Sequence, residues 1–166
     1  METLKIAFFC WETLNSTFKV GGLAPATTHL AERLARMGHE VHFFTRGEKP
    51  GYALINSVHY HYCLPYGDNI IEYCRTMSNM LVDTFRAHDT PPFDILHFHD
   101  WHLVEAMHML RDRNTVISFH STEYGRHGGN FGGWWEFQEI SGKEWYGGYI
   151  AKAVTTVSSS TKTEVM

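Results

Sequence analysis

The chain has 166 residues, 43% hydrophobic and 19% charged, with a formal net charge of −4. That length suits one domain with a sizeable core, and without any Lys/Arg run the chain lacks the clustered positive charge of a nucleic-acid or anionic-membrane surface. Cys10, Cys63 and Cys74 make no CxxC pair and no even framework, which suits a reducing compartment.

No stretch reaches the roughly 18 consecutive apolar residues of a membrane span, and the first residues lack the basic and long apolar regions of a signal peptide. The expectation is a soluble, cytoplasmic protein. Its unusual features are twelve histidines and 14% aromatic residues, many in stretches that read as loops.

Leu4 to Cys10 is a near-continuous apolar run of strand length, the pattern of a central parallel strand covered on both faces. Residues 11–20 are polar and irregular. From Leu23 the apolar positions Leu23, Ala26, Leu30, Leu34 and Met37 recur every three or four residues, one helical stripe, and Gly38 stands where a helix ends. Glu40 to Thr45 reads as a second strand, so residues 4–45 form a βαβ unit.

Gly47, Pro50 and Gly51 predict a loop over 47–55. Val58 to Cys63 follows as a third strand and Ile70 to Ala87 as a helix. Pro91-Pro92 breaks the chain before a fourth strand, Asp94 to Phe98. A helix at about 101–111 precedes a fifth strand, Thr115 to Phe119. Five glycines in 125–135 predict a mobile loop, Glu136 to Lys152 a helix interrupted by Gly142 and Gly147-Gly148, and Ala153 to Val157 a sixth strand. Ser158-Ser159-Ser160 offers caps for a last helix. Six strands alternating with helices predict an α/β, doubly wound, Rossmann-like parallel sheet.

In such sheets ligands bind at the carboxyl ends of the strands, where strand order reverses. Polar residues stand at those places: Glu12 and Lys19 after the first strand, His99-Asp100-Trp101-His102 after the fourth, His120-Ser121 after the fifth. Lys19-Val20-Gly21-Gly22-Leu23 opens the first helix. Glycine there suits a positive φ or a ligand close to the backbone, and helix amides beside a lysine favour an anion. The same pair is also ordinary turn chemistry, and neither the G-x-G-x-x-G fingerprint nor a P-loop is present.

His97, His99 and His102 could supply three imidazoles to zinc. They could equally be ordinary strand and helix residues, or belong to a polar sugar or nucleotide site in which Asp100 accepts hydroxyl hydrogen bonds and Trp101 packs on an apolar sugar face. No G-x-S-x-G elbow supports a serine hydrolase.

Four blocks in order resemble the opening half of glycogen and starch synthases and related retaining glycosyltransferases of the GT-B fold. They are Lys19-Val20-Gly21-Gly22-Leu23 with the helix to Gly38-His39-Glu40-Val41, Asp94 to His102, Ser118-Phe119-His120-Ser121, and Val154-Thr155-Thr156-Val157-Ser158. The resemblance implies that residues 1–166 are the N-terminal, acceptor-side Rossmann-like domain of a two-domain enzyme whose C-terminal nucleotide-binding domain is absent. That enzyme would pass glucose from UDP-glucose or ADP-glucose to an α-glucan with retention, using no cofactor and no metal, and this chain alone would turn over little.

By the same resemblance, Lys19, Gly21 and Gly22 line the donor diphosphate and sugar, and His120 contacts the donor glucose near the reacting carbon. Asp100, with Trp101 beside it, and Glu12 hold sugar hydroxyls, and Ser121 is a further substrate-binding position. The Glu12–Lys19 loop is slightly longer than in bacterial synthases, and Ser121 replaces a common asparagine. Other GT-B hexosyltransferases, a zinc-dependent hydrolase built on His97, His99 and His102, and a non-catalytic sugar-binding module are the alternatives.

Overall fold

The computed structural model describes residues 2–165. In chain order the elements are β1 (Lys5–Phe9), α1 (Leu23–Arg36), β2 (Glu40–Arg46), β3 (Gly51–Ile55), β4 (Val58–Cys63), α2 (Ile70–His88), β5 (Ile95–His99), α3 (Val104–Met109), β6 (Thr115–Phe119), α4 (Glu123–Arg126), α5 (Trp135–Ile150), β7 (Ala153–Thr156) and α6 (Ser159–Val165). The strands make one sheet in the order β3-β4-β2-β1-β5-β6-β7. All neighbours are parallel except β3, which runs antiparallel to β4. This is the expected α/β class, with one more strand than the sequence pattern showed.

The chain builds outward from β1 through β2 and β4, then returns to the other side of β1 for β5, β6 and β7. Strand order therefore reverses between β1 and β5. The loops leaving those two strands part in opposite directions and open a crevice at their carboxyl ends. Every residue of β1 is buried, as its apolar run requires. Two cores flank it. One sets Phe8, Val41, Phe43 and Tyr60 against Ala31 of α1, with Leu23 and Leu34 partly buried beside them. The other sets Phe9, Phe44, Leu96 and Phe98 against Leu81 and Phe85 of α2, Met107 of α3 and Ile140 of α5. Among the described residues no helix is long and apolar enough to cross a membrane.

Four expectations need correction. Residues 51–55 are not loop but a strand, joined to β4 by the two-residue turn Asn56-Ser57. Both turn residues have positive φ, 50° and 65°, the backbone of a type I′ hairpin, whose twist matches its strands. The strand hides because it is an edge: Gly51, Tyr52 and Leu54 face solvent, and only pairing with β4 defines it. In α1 the buried positions are Ala24, Thr27, Thr28 and Ala31, while Leu30 and Met37 of the anticipated stripe are 41% and 42% exposed. Small side chains let this helix lie close to the sheet, and Thr28 Oγ1 meets Thr13 Oγ1 at 3.0 Å. Gly38, with φ +95°, does end the helix as expected.

The third correction is α5, which runs unbroken through Gly142, Gly147 and Gly148. At Gly147 a Cβ would lie 2.9 Å from Val104 Cγ2 and 3.0 Å from Ile117 Cδ1, so the glycine allows α5 to approach α3 and β6. A Cβ at Gly142 would meet open space. Gly142→Ala is therefore expected to stabilise the helix by about 1 kcal/mol and raise Tm by about 2–4 °C. Gly147→Ala is expected to lower Tm through overpacking, and scanning calorimetry reads both. The 125–135 stretch is also partly regular, since Glu123–Arg126 forms the short α4 with Thr122 as its cap.

Candidate active site

A cavity of about 750 Å³ opens at the carboxyl end of the sheet, and all eight site residues read from the sequence line it: Glu12, Lys19, Gly21, Gly22, Asp100, Trp101, His120 and Ser121. The sheet explains the convergence. Glu12 follows β1, Asp100 and Trp101 follow β5, and His120 follows β6; these strands are consecutive neighbours.

Neither Gly21 nor Gly22 has the positive φ the sequence reading allowed for; Gly22 sits at φ −67° as the N-cap of α1. A Cβ on Gly22 would touch nothing within 4 Å, and one on Gly21 would meet Glu12 Oε1 at an ordinary 3.7 Å. The fold itself therefore makes no demand for glycine at either place. The preference of helix N-caps for glycine at position 22 and close approach of a ligand are the physical reasons that remain.

No side chain of its own caps α1. Glu12, only 6% exposed, does so from outside: Oε1 accepts from Ala24 N at 3.1 Å and Oε2 from Gly21 N at 3.5 Å. Pro25 has no N–H to satisfy, and its fixed φ suits the first turn. Among the described residues the amides of Gly22 and Leu23 find no acceptor, and exposed Lys19 pairs with no carboxylate. Glu12 thus holds the loop against the helix, and two amides and an ammonium group remain open beside it.

Asp100 occupies the left-handed region with φ +55° and is 4% exposed. Its amide donates to Ser118 O at 2.9 Å and its Oδ1 accepts from His120 N at 2.7 Å, so one residue ties the ends of β5 and β6 together. Burial pushes the Asp100 carboxyl up, opposed by the His120 amide. Asp100→Asn retains an acceptor and a side chain tolerant of positive φ, and is expected to leave stability nearly unchanged. Asp100→Ala loses both and is expected to cost about 2 kcal/mol in urea unfolding.

The His120 ring is held through Nε2, which lies 3.1 Å from Nδ1 of the buried His99. Among the described residues Nδ1 of His120 has no hydrogen-bond partner. Burial pushes this imidazole below its ordinary 6.5 against the pull of Asp100, so the ring is neutral near pH 7. A neutral ring can donate or accept at Nδ1 according to tautomer.

Trp101 departs from the role expected of it. It is 4% exposed, packs in the core and stacks on His102, with centroids 4.4 Å apart. His102 stacks in turn on Trp11 at 4.1 Å, and the Arg46 guanidinium lies 3.9 Å over the Trp11 ring. Two groups that close over one indole must take opposite faces, so the order is Arg46, Trp11, His102, Trp101. No indole face in this stack is open to a sugar. Ser121 Oγ accepts from Arg126 Nη1 at 2.7 Å, and Arg126 also bonds Glu123 and Glu144. Both Glu144 oxygens accept from Glu123 N, and burial pushes Glu144 up to about 7.

The cavity also holds Trp11, Arg46, Glu123 and Arg126, which the sequence reading passed over. Arg46 ends β2, so the strand-end rule that found Glu12 would have found it. Nothing local marks Arg126, which folding brings in from the glycine-rich segment. The three histidines of the zinc alternative do not converge. His97 Nε2 lies 2.6 Å from Ser118 Oγ, His99 pairs with His120, and His102 is between two tryptophans. Among the described residues no group of three His, Cys, Asp or Glu side chains is placed to hold a metal.

Residues 20–166 match the model of Glycosyltransferase Family 4. The chain belongs to that family. An uncharacterized glycosyltransferase of Methanocaldococcus jannaschii is 35% identical over 168 residues, covering 98% of this chain and 42% of the relative. The family 4 chain thus spans less than half the length of that relative. Among solved structures, the sucrose-phosphate synthase of Thermosynechococcus elongatus superposes with a TM-score of 0.67 at 17% identity, over 91% of this chain and 41% of the other. The catalytic domain of starch synthase IV from Arabidopsis thaliana, bound to ADP and acarbose, superposes with a TM-score of 0.58 at 15% identity, over 72% and 34%. At such identities these two show the fold: this family 4 chain is a GT-B-type α/β domain.

Proposed function

We propose that the whole protein transfers glucose from a nucleoside-diphosphate glucose to a sugar hydroxyl with retention of configuration, and that this chain supplies the acceptor-side half of its active site. The observation that carries the reading is the convergence, in one crevice at the switch point, of two unbonded helix amides, an unpaired Lys19 and a neutral His120 anchored through its backbone. In this reading the Gly22 and Leu23 amides and Lys19 receive the donor diphosphate as charge grows on the leaving group. His120 Nδ1 meets a hydroxyl of the transferred sugar, Asp100 fixes the strand end that carries His120, and Glu12 and Ser121 border the sugar. UDP-glucose and ADP-glucose are the donors to test first, and an α-glucan, as implied by the sequence motifs, is the first acceptor. A second domain of the same polypeptide supplies the base pocket.

The test is transfer of labelled glucose from either donor to maltooligosaccharides by the whole protein, with the anomeric configuration of the product read by NMR. Lys19→Ala is expected to raise the donor KM about tenfold, the size of one charge-assisted contact. Absence of transfer from every nucleotide sugar to every saccharide, with binding intact, would leave a sugar-binding module instead.

A further inference from the structure

Arg46 is a cation on this cavity that the proposed reaction does not use. It ends β2, and its side chain is held in place. Nε donates to Trp11 O at 2.8 Å, and the guanidinium lies 3.9 Å over Trp11 and 4.8 Å over Phe18. Among the described residues its Nη atoms have no acceptor and it pairs with no carboxylate. Arg126, the other guanidinium on the cavity, is taken up by Ser121, Glu123 and Glu144. Glu12 is committed to two backbone amides, and Asp100 gives Oδ1 to another. A rigid guanidinium with its outer fork open, set among aromatic rings, matches a planar or tetrahedral oxyanion and leaves little for a neutral hydroxyl to gain.

Its location says which part of a ligand it meets. Side chains alternate along β2, so Arg46 lies on the face of Phe44, the face covered by α2, whereas Phe43 faces α1. The open amides at the start of α1 are therefore on the other layer. Three strand spacings separate β2 from the β6 end that bears His120, about 14 Å. An anion on Arg46 thus sits on the α2 side of the shared cavity, three strands from the end that bears His120, while the amides given to the donor diphosphate open from the α1 side. We infer that Arg46 is the anchor of an acidic acceptor: a small hydroxyl compound whose phosphate or carboxylate is held there while its hydroxyl points toward His120. This rests on the transfer reading above for the word acceptor, and it substitutes an acidic compound for the neutral glucan.

The test is NMR titration of the chain with glucose 6-phosphate and glucuronate as acidic probes, glucose and maltotriose as neutral ones, and UDP-glucose and ADP-glucose as donors. The Arg46 Nε–H, protected by its bond to Trp11, is expected to shift with the acidic probes and not with the neutral ones. The acidic probes are expected to bind at least about tenfold tighter than glucose. Arg46→Gln is expected to abolish that preference and Lys19→Ala to preserve it. A preference that survives Arg46→Gln, or is lost in Lys19→Ala, would overturn the assignment; so would equal binding of acidic and neutral probes, or no binding of either. Because the Nε–H signal is read in the unaltered chain, the inference stays open to refutation even if Arg46→Gln fails to fold. Binding through Arg46 without transfer by the whole protein would leave the anion site standing and remove the enzymatic reading; transfer to neutral glucan with no Arg46 response would do the reverse.

Discussion

His120→Ala in the whole protein is expected to lower kcat by about 10²–10³-fold with a much smaller change in the donor KM, the pattern of a contact made chiefly in the transition state. The structure separates this from a folding defect. What ties residue 120 to Asp100 is its backbone N–H, which alanine keeps, and among the described residues the ring itself makes one hydrogen bond, to His99 Nδ1. The variant should therefore unfold within about 1 kcal/mol of the parent, the worth of one hydrogen bond. Because burial holds the ring below 6.5, any acid limb of kcat/KM due to it is expected below pH 6.5 and absent in His120→Ala. A variant with undiminished turnover would take His120 out of the reaction.

The second large effect is acid lability. His42 Nδ1 and His61 Nε2 are 2.9 Å apart on the face of the sheet under α2, and burial depresses the two imidazoles to about 4 and about 3. His59 stacks on His42 and His88 packs on His61, while Lys5 adds a further positive charge; only Glu40, 2.9 Å from His42 Nε2, pulls the other way. His97 is depressed to about 4, and His99 and His102 lie well below 6.5. The five depressed imidazoles, His42, His61, His97, His99 and His102, stay neutral in the folded chain over a range below pH 6.5 in which they are charged in the unfolded chain. Their stabilising effect is complete above pH 6.5 and is lost as the pH falls toward 4.

Glu144 and Asp100, both raised by burial, oppose the trend. A net uptake of about three protons on unfolding corresponds to about 4 kcal/mol per pH unit near pH 5.5, against a total stability of about 5–15 kcal/mol. Unfolding followed by circular dichroism is expected to have its midpoint between pH 6 and pH 4, a window set by those depressed values. His61→Leu should move it to lower pH. A chain still folded at pH 3.5 would show that these imidazoles accept protons without unfolding it.

The sheet was legible because central parallel strands are continuous apolar runs; β1, β2, β5 and β6 stood out for that reason. The hairpin strand β3 escaped because half of it faces water and its identity is a pairing, which no local pattern records. The buried stripe of α1 was misplaced onto leucines because alanine and threonine do not advertise burial, although close helix approach selects them. In the site, position after a strand singled out Glu12, Asp100 and His120, and all three line the crevice. What the residues face there was less readable. Trp101 stands where a sugar platform is expected, yet His102 covers it; Arg46 ends a strand in plain view, yet its open fork appears only once Trp11 is folded against it.

The carboxylate that reaches from residue 12 to the amides of residues 21 and 24 has an evolutionary consequence. By fastening both feet of the intervening segment to one point, it makes the position of α1 independent of how many residues lie between them. Insertions and deletions around Ser16 and Thr17 should therefore accumulate among homologues as bulges toward solvent, with the glycine pair staying in place. A lineage that replaced Glu12 would be expected to lose that freedom and to show a segment of fixed length.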